Sequence, residues 1–183
     1  HYNVRHQLQV SVCVIGLGTI GLLLTMFLKA EGIQNVYVEG NKDMQKHFAQ
    51  KLGVDDEHYN VDNVVADYVF ECVGKNETIN RAIELAAPAG NIVLVGNPYS
   101  EMNIPKDTYW KILRKQLKLS GTWNSSYAGE SGDDWHYVLN MLADGRIDPE
   151  QFITHEYPLD AIQKGMEIMR DKSEDYVKVM CIS

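Results

Sequence analysis

The chain has 183 residues, 45% of them hydrophobic, which is enough for one domain with a sizeable core and too few for two full domains. Its net charge of -8 argues against a nucleic-acid surface, which would need a clustered basic face, and no stretch approaches the roughly 18 consecutive apolar residues of a membrane span. Cysteines at 13, 72 and 181 form no Cys-x-x-Cys pair, and their odd count without a signal peptide points to buried thiols in a reducing cytoplasm.

Residues 1–10 read as the tail of a helix, with Val4, Leu8 and Val10 loosely spaced. A helix cut in mid-course, with no initiator Met, implies a preceding segment. Val12 to Ile15 is an apolar strand, followed by Gly16-Leu-Gly18-Thr-Ile-Gly21 and a run of helix formers that ends at Gly32. The glycines have separate physical roles: Gly16 permits the bend, Gly18 lets backbone approach a pyrophosphate, and Gly21 lets helix and strand pack closely. Thr19 and Ile20 would then stand at the pyrophosphate, where the helix N-terminus offers free N–H groups. A glycine string alone fits any tight strand-to-helix turn, but the strand before it and the helix after it point to dinucleotide binding.

Val36 to Glu39 reads as a second strand, and Asn41 or Asp43 as the cap of a helix carrying Met44, Phe48, Ala49 and Leu52 to Gly53. Residues 57–60 suit a third, edge strand, and Ala66 to Val73 a fourth that turns at Gly74. Asn76 or Thr78 begins a helix through Ala86 that Pro88 and Gly90 stop, before a fifth strand over Asn91 to Val95. A helix around Tyr109 to Gln116, a sixth strand over Leu117 to Trp123 and a helix over Asp134 to Ala143 follow. An extended segment at Ile153 to Pro158, a helix at Leu159 to Arg170 and a strand at Tyr176 to Ile182 complete the chain. This alternation predicts an α/β fold, a Rossmann-type doubly wound parallel sheet, of six strands or fewer if the third crossover is truly absent. Only Val61 to Val65 separate the third strand from the fourth. Five extended residues reach roughly 17 Å, whereas a parallel crossover takes about a dozen residues or more. The reading favoured here is that residues of the natural protein are missing from this loop.

Val12-Cys-Val-Ile-Gly-Leu-Gly-Thr-Ile-Gly21, Phe70-Glu-Cys-Val-Gly74 and Ala87-Pro-Ala-Gly-Asn-Ile-Val-Leu-Val-Gly96, in this order over nearly the whole chain, resemble the cofactor-binding half of the medium-chain zinc-dependent alcohol dehydrogenase family. Leu94 to Pro98 and Gly121 to Ser126 look most like its polyol and sugar-alcohol-phosphate members. The resemblance implies hydride transfer between a secondary alcohol and NAD or NADP, a polyol or sugar-phosphate substrate, and a homo-oligomer. It also implies a catalytic zinc in an N-terminal domain absent from this chain. Residues 1–183 would be the dinucleotide-binding domain, with 1–10 and 153–183 packing towards that catalytic domain. His47, His58, His136 and His155 fall on different predicted elements, so no metal site assembles from them.

An acid ending the second strand selects NAD by bonding the ribose hydroxyls. Glu39 is acidic, but counting from Gly16 or back from Gly53 puts Gly40 at the selecting position, and strand alternation turns Glu39 away. Gly40-Asn41-Lys42 resembles the signature of NADP-dependent members, with Lys42 able to pair with the 2′-phosphate, so NADP is favoured over NAD. Val73 and Gly74 are expected beside the adenosine half, and Gly96, Asn97 and Thr122 towards the nicotinamide, although turn capping also explains Asn97 and Thr122. A glycine turn followed by an acid also fits an S-adenosylmethionine-dependent methyltransferase, and a non-catalytic dinucleotide-binding module is a third reading.

Overall fold

The computed structural model describes residues 10–182; the helix tail expected before Val10 lies outside the described residues. Strand β1 (Ser11–Ile15) sits second in a five-stranded parallel sheet. On its two sides are β2 (Asn35–Glu39) and β3 (Ala66–Glu71), with β4 (Ala86–Leu94) and β5 (Lys118–Gly121) beyond β3. Alternation along β1 divides the core. Val14 faces a cluster with Leu22, Met26, Val36, Val38, Phe48 and Phe152, whereas Cys13 and Ile15 face Val69, Ile83, Leu85 and Ile92. Helices α1 (Thr19–Ala30), α2 (Asp43–Lys51) and α5 (Asp134–Ala143) supply the first cluster. Helices α3 (Asn76–Leu85) and α4 (Lys106–Lys115) cover the second. Each fully buried Val or Ile contributes about 1.5–3 kcal/mol relative to exposure. Apolar strands covered on both faces are what such a sheet requires.

The third strand expected over 57–60 does not form. Asp56–His58 is a 3-10 turn, and Tyr59 makes a single parallel bridge to Val38. The chain then crosses to Ala66 without a helix, with Val61 and Val64 packed on the second cluster. Tyr59 to Ala66 must shift three strand spacings sideways and about four residues back, a diagonal of roughly 20 Å, and seven extended residues reach roughly 23–25 Å. The connection closes without a helix, through a bend at Asn60 and a turn at Asp62–Asn63.

Other departures are local. Lys42 is the residue at the start of α2 and gives no side-chain cap; Asp43 lies inside the first turn, and Asn41 N–H donates to Gln45 Oε1 at 3.0 Å. Ala86 belongs to β4 rather than to the preceding helix, because it pairs with Ala66. The register shifts before Tyr68 pairs with Asn91, so Pro88 to Gly90 form a bulge within β4 rather than a loop before it. The C-terminal helix opens as a 3-10 turn at Leu159–Ala161 and continues as α6 (Ile162–Asp171). β6 (Ile153–Pro158) and β7 (Lys178–Ile182) pair in parallel as a separate two-stranded sheet. Among the described residues no helix is long and apolar enough to cross a membrane.

Helix α5 is anchored by Asp133, which accepts the His136 N–H at 2.8 Å and the N–H groups of Ala128 and Gly129 at 2.8 and 3.1 Å. These bonds hold its carboxyl well below the usual carboxylate range, the His136 backbone N–H foremost. A depressed folded-state pKa stabilises the fold above the unfolded value of about 4 and is lost as pH falls below it. Acid titration of unfolding should therefore show a steeper loss below about pH 4 in the native chain than in an Asp133→Asn variant.

Candidate functional site: a dinucleotide cleft

Gly16 adopts φ +93° and its N–H donates to Glu39 O at 2.8 Å, which fastens the turn to the end of β2. A Cβ at Gly21 would lie 1.8 Å from Gly16 O, and one at Gly16 would lie 2.3 Å from Val73 Cγ2. Gly18, by contrast, has nothing within 4 Å on that side. Helix α1 starts behind it with no side-chain cap and no acidic residue in its first turn. Its free N–H groups and the positive end of its dipole therefore face an open approach, which suits a pyrophosphate.

This turn borders a cavity of about 480 Å³. Of the residues expected from sequence to contact a cofactor, Gly16, Gly18, Gly40, Asn41 and Val73 line it. Ile15, Leu17, Glu39, Gln45, Asn60, Cys72, Lys75 and Thr78 line it as well. Gly21 is packed behind the turn, and Ile20 is exposed beside it. The Thr19 hydroxyl donates to Val177 O, leaving its backbone N–H as the group available to a ligand. Gly74 and Gly96 form a close backbone contact beyond Val73: a Cβ on Gly74 would meet Asn97 O at 1.7 Å, and one on Gly96 would meet Gly74 N at 2.2 Å. Thr122 N–H continues the sheet by donating to Leu94 O at 3.1 Å.

Glu71 builds this floor. It is fully buried, and its carboxylate accepts the N–H groups of Val73 and Gly74, each at 2.9 Å, while its carbonyl accepts those of Val95 and Gly96 at 2.8 and 2.9 Å. One residue thus ties the turn after β3 to the end of β4. The sequence reading missed this role, although an acid inside the apolar run Val69 to Val73 was its visible signal.

At the other end of the cavity, Glu39 Oε1 is held by Arg81 through Nε at 2.8 Å and Nη2 at 2.7 Å. Gly40 is clamped twice by the Asn60 carboxamide: its N–H donates to Oδ1 at 3.0 Å and its carbonyl accepts from Nδ2 at 2.9 Å. A Cβ at Gly40 would meet Tyr59 Oη at 2.8 Å and Gln45 Oε1 at 2.9 Å. An acid at this position would need both neighbours to move. Lys42 does not line the cavity; its Nζ lies 2.6 Å from Asp175 Oδ1. Asn60, whose φ is +51°, was invisible to sequence reasoning because its partner is 20 residues away.

Burial pushes the Cys72 thiol up to about 12, with the Glu71 charge adding to it, and burial does the same to Cys13. Both are neutral at physiological pH, so neither supplies a thiolate nucleophile. Among the described residues no group of three or more His, Cys, Asp or Glu side chains could hold a metal ion. The zinc implied by the resemblance does not fit this donor set, and no step is assigned to it.

A family model described as zinc-binding dehydrogenase matches residues 19–144. The chain is 26% identical over 158 residues to galactitol 1-phosphate 5-dehydrogenase from Escherichia coli K12, a match covering 79% of this chain and 45% of that protein. A structure of a short chain alcohol dehydrogenase from Escherichia coli CFT073 complexed with NADH aligns at TM-score 0.79 and 21% identity, covering 98% of this chain and 55% of the other. A zinc-binding dehydrogenase from Sinorhizobium meliloti 1021 bound to NADP aligns at TM-score 0.76 and 21% identity, covering 95% and 52%. The chain spans about half the length of the curated relatives it matches. The family match sets aside the methyltransferase reading, which rested on the glycine turn and Glu39 alone. With its glycine turn, parallel sheet and this match, the chain belongs to the medium-chain zinc-binding dehydrogenase family, as its cofactor-binding half.

Proposed function

We propose that this chain is the nicotinamide-dinucleotide-binding domain of a zinc-dependent dehydrogenase that oxidises a secondary alcohol of a polyol or sugar-alcohol phosphate. The observation that carries the reading is the uncapped N-terminus of α1 opening on the cavity at Gly18. The bound dinucleotide would supply the hydride acceptor. The chain's own residues would bind and orient it: the Gly16–Gly21 turn at the pyrophosphate, Gly40 and Asn41 at the adenosine ribose, and Val73 with Gly74 alongside. The substrate class is that of the similar galactitol 1-phosphate 5-dehydrogenase.

NADP is the preferred cofactor in this reading. Gly40 carries no acid to bond the ribose hydroxyls, the nearby Glu39 carboxylate is neutralised by Arg81, and Lys42 follows on the same loop. The three free cysteines support a cytoplasmic setting. The edge strand β5, each of whose residues is exposed, supports a homo-oligomer, and exposed Leu159, Met166 and Ile182 support packing of 153–183 against a catalytic domain. Titration with NADPH and NADH, read by cofactor fluorescence, should give saturable binding with NADPH the tighter. The isolated chain should turn over no polyol. Absence of binding by either cofactor would refute the reading; tighter NADH would reverse the cofactor assignment.

A further inference from the structure

Lys42 is the only basic side chain between Glu39 and Gln45, and it directly follows Gly40 and Asn41, which line the cavity. Its ammonium is occupied by Asp175, a residue 133 positions away in the C-terminal segment. That segment is itself fixed. The Thr19 hydroxyl at the start of α1 donates to Val177 O, and Val177 N–H donates to Thr154 Oγ1 at 3.1 Å. Glu174 approaches His155 Nε2 at 3.4 Å. The segment carrying Asp175 is thus tied, two residues on at Val177, to the Thr19 hydroxyl of the glycine-turn helix and the Thr154 hydroxyl of β6, while Lys42 is a flexible side chain that reaches to Asp175.

We propose that Asp175 is a specificity-determining residue: it sets how readily Lys42 can serve a 2′-phosphate, and so tunes NADP against NAD without touching either cofactor. The inference rests on the dinucleotide reading above. Both partners are partly exposed, 37% for Lys42 and 55% for Asp175, so their pair is weak and exchangeable. A phosphate dianion is a stronger partner for an ammonium than a single carboxylate, but it must displace Asp175 first. NAD has no 2′-phosphate, gains nothing from Lys42 and is indifferent to the exchange. Sequence reasoning assigned Lys42 to the phosphate and could not see the carboxylate that competes for it.

The test is the dissociation constant of NADPH and of NADH for the native chain, Asp175→Asn, Lys42→Ala and the double variant. Removing the competing carboxylate should tighten NADPH about two- to five-fold, the range of an exposed ion pair, and leave NADH unchanged. In the Lys42→Ala background the Asp175→Asn gain should vanish, because the cation it releases is gone. An equal change for both cofactors, or a gain that persists without Lys42, would overturn the inference while leaving the dinucleotide reading intact. If no variant binds either cofactor, the dinucleotide reading fails and this inference with it.

Discussion

A Gly21→Ala chain is expected to lose both dinucleotide binding and at least about 3 kcal/mol of stability, the upper range for forced overpacking. The added methyl would sit 1.8 Å from Gly16 O, a backbone atom that no rotamer change can move. Relief requires lifting α1 off the turn, which separates Leu22 and Met26 from the cluster around Val14. With a total stability of about 5–15 kcal/mol for a domain, the urea midpoint should fall severely. Gly18→Ala is the counterpart. Nothing lies within 4 Å of its Cβ position and its backbone is extended, so folding should be little changed. Binding should still drop sharply, because the methyl occupies the approach to the free N–H groups. If Gly18→Ala binds NADPH as the native chain does, the pyrophosphate is not held at this turn.

Glu71→Leu should cost about 2–6 kcal/mol, because two N–H donors left without acceptors cost about 1–3 kcal/mol each. The side chain is fully buried and accepts the N–H groups of Val73 and Gly74; leucine would fill the space but leave both donors without acceptors. Glu71→Gln should fall between, since one amide oxygen can still accept while its NH2 faces a donor. Chemical denaturation gives the order native, Gln, Leu. Cofactor titration should follow it, because the turn that Glu71 holds carries the cavity-lining Val73. A Leu variant as stable as the native chain would mean that the turn is held by its close contact with Gly96 and Asn97 alone.

The features legible in the sequence were those written in local pattern. The glycine turn, the apolar strands and α5 at Asp134–Ala143 all follow from spacing within a dozen residues. The third strand expected over 57–60 is replaced by a 3-10 turn at Asp56–His58 and a single bridge from Tyr59 to Val38, because Glu57 and Asn60 are poor strand formers. Pro88 and Gly90 signalled a break, yet the sheet absorbs them as a bulge once Ala86 has paired with Ala66. The cavity's ribose end was the least legible part. Arg81 on Glu39, Asn60 on Gly40 and Asp175 on Lys42 come from 42, 20 and 133 residues away, and no periodicity encodes such partners.

The short, helix-free crossing from Tyr59 to Ala66 also bears on how the molecule folds. Shortening a loop lowers its closure entropy only slowly, by about 0.6 kcal/mol for each halving, so the gain in stability is small. The effect on contact order is larger. With no helical crossover between them, the turn at Gly16, its tie to Glu39, the Asn60 clamp and the Val73 contact all lie within the first 73 residues. Contacts of low sequence separation form early. The half of the cleft that would hold the adenosine end can thus organise before β4, β5 and the C-terminal strap arrive. Lys42 would meet Asp175 last, as one of the late steps that close the native state.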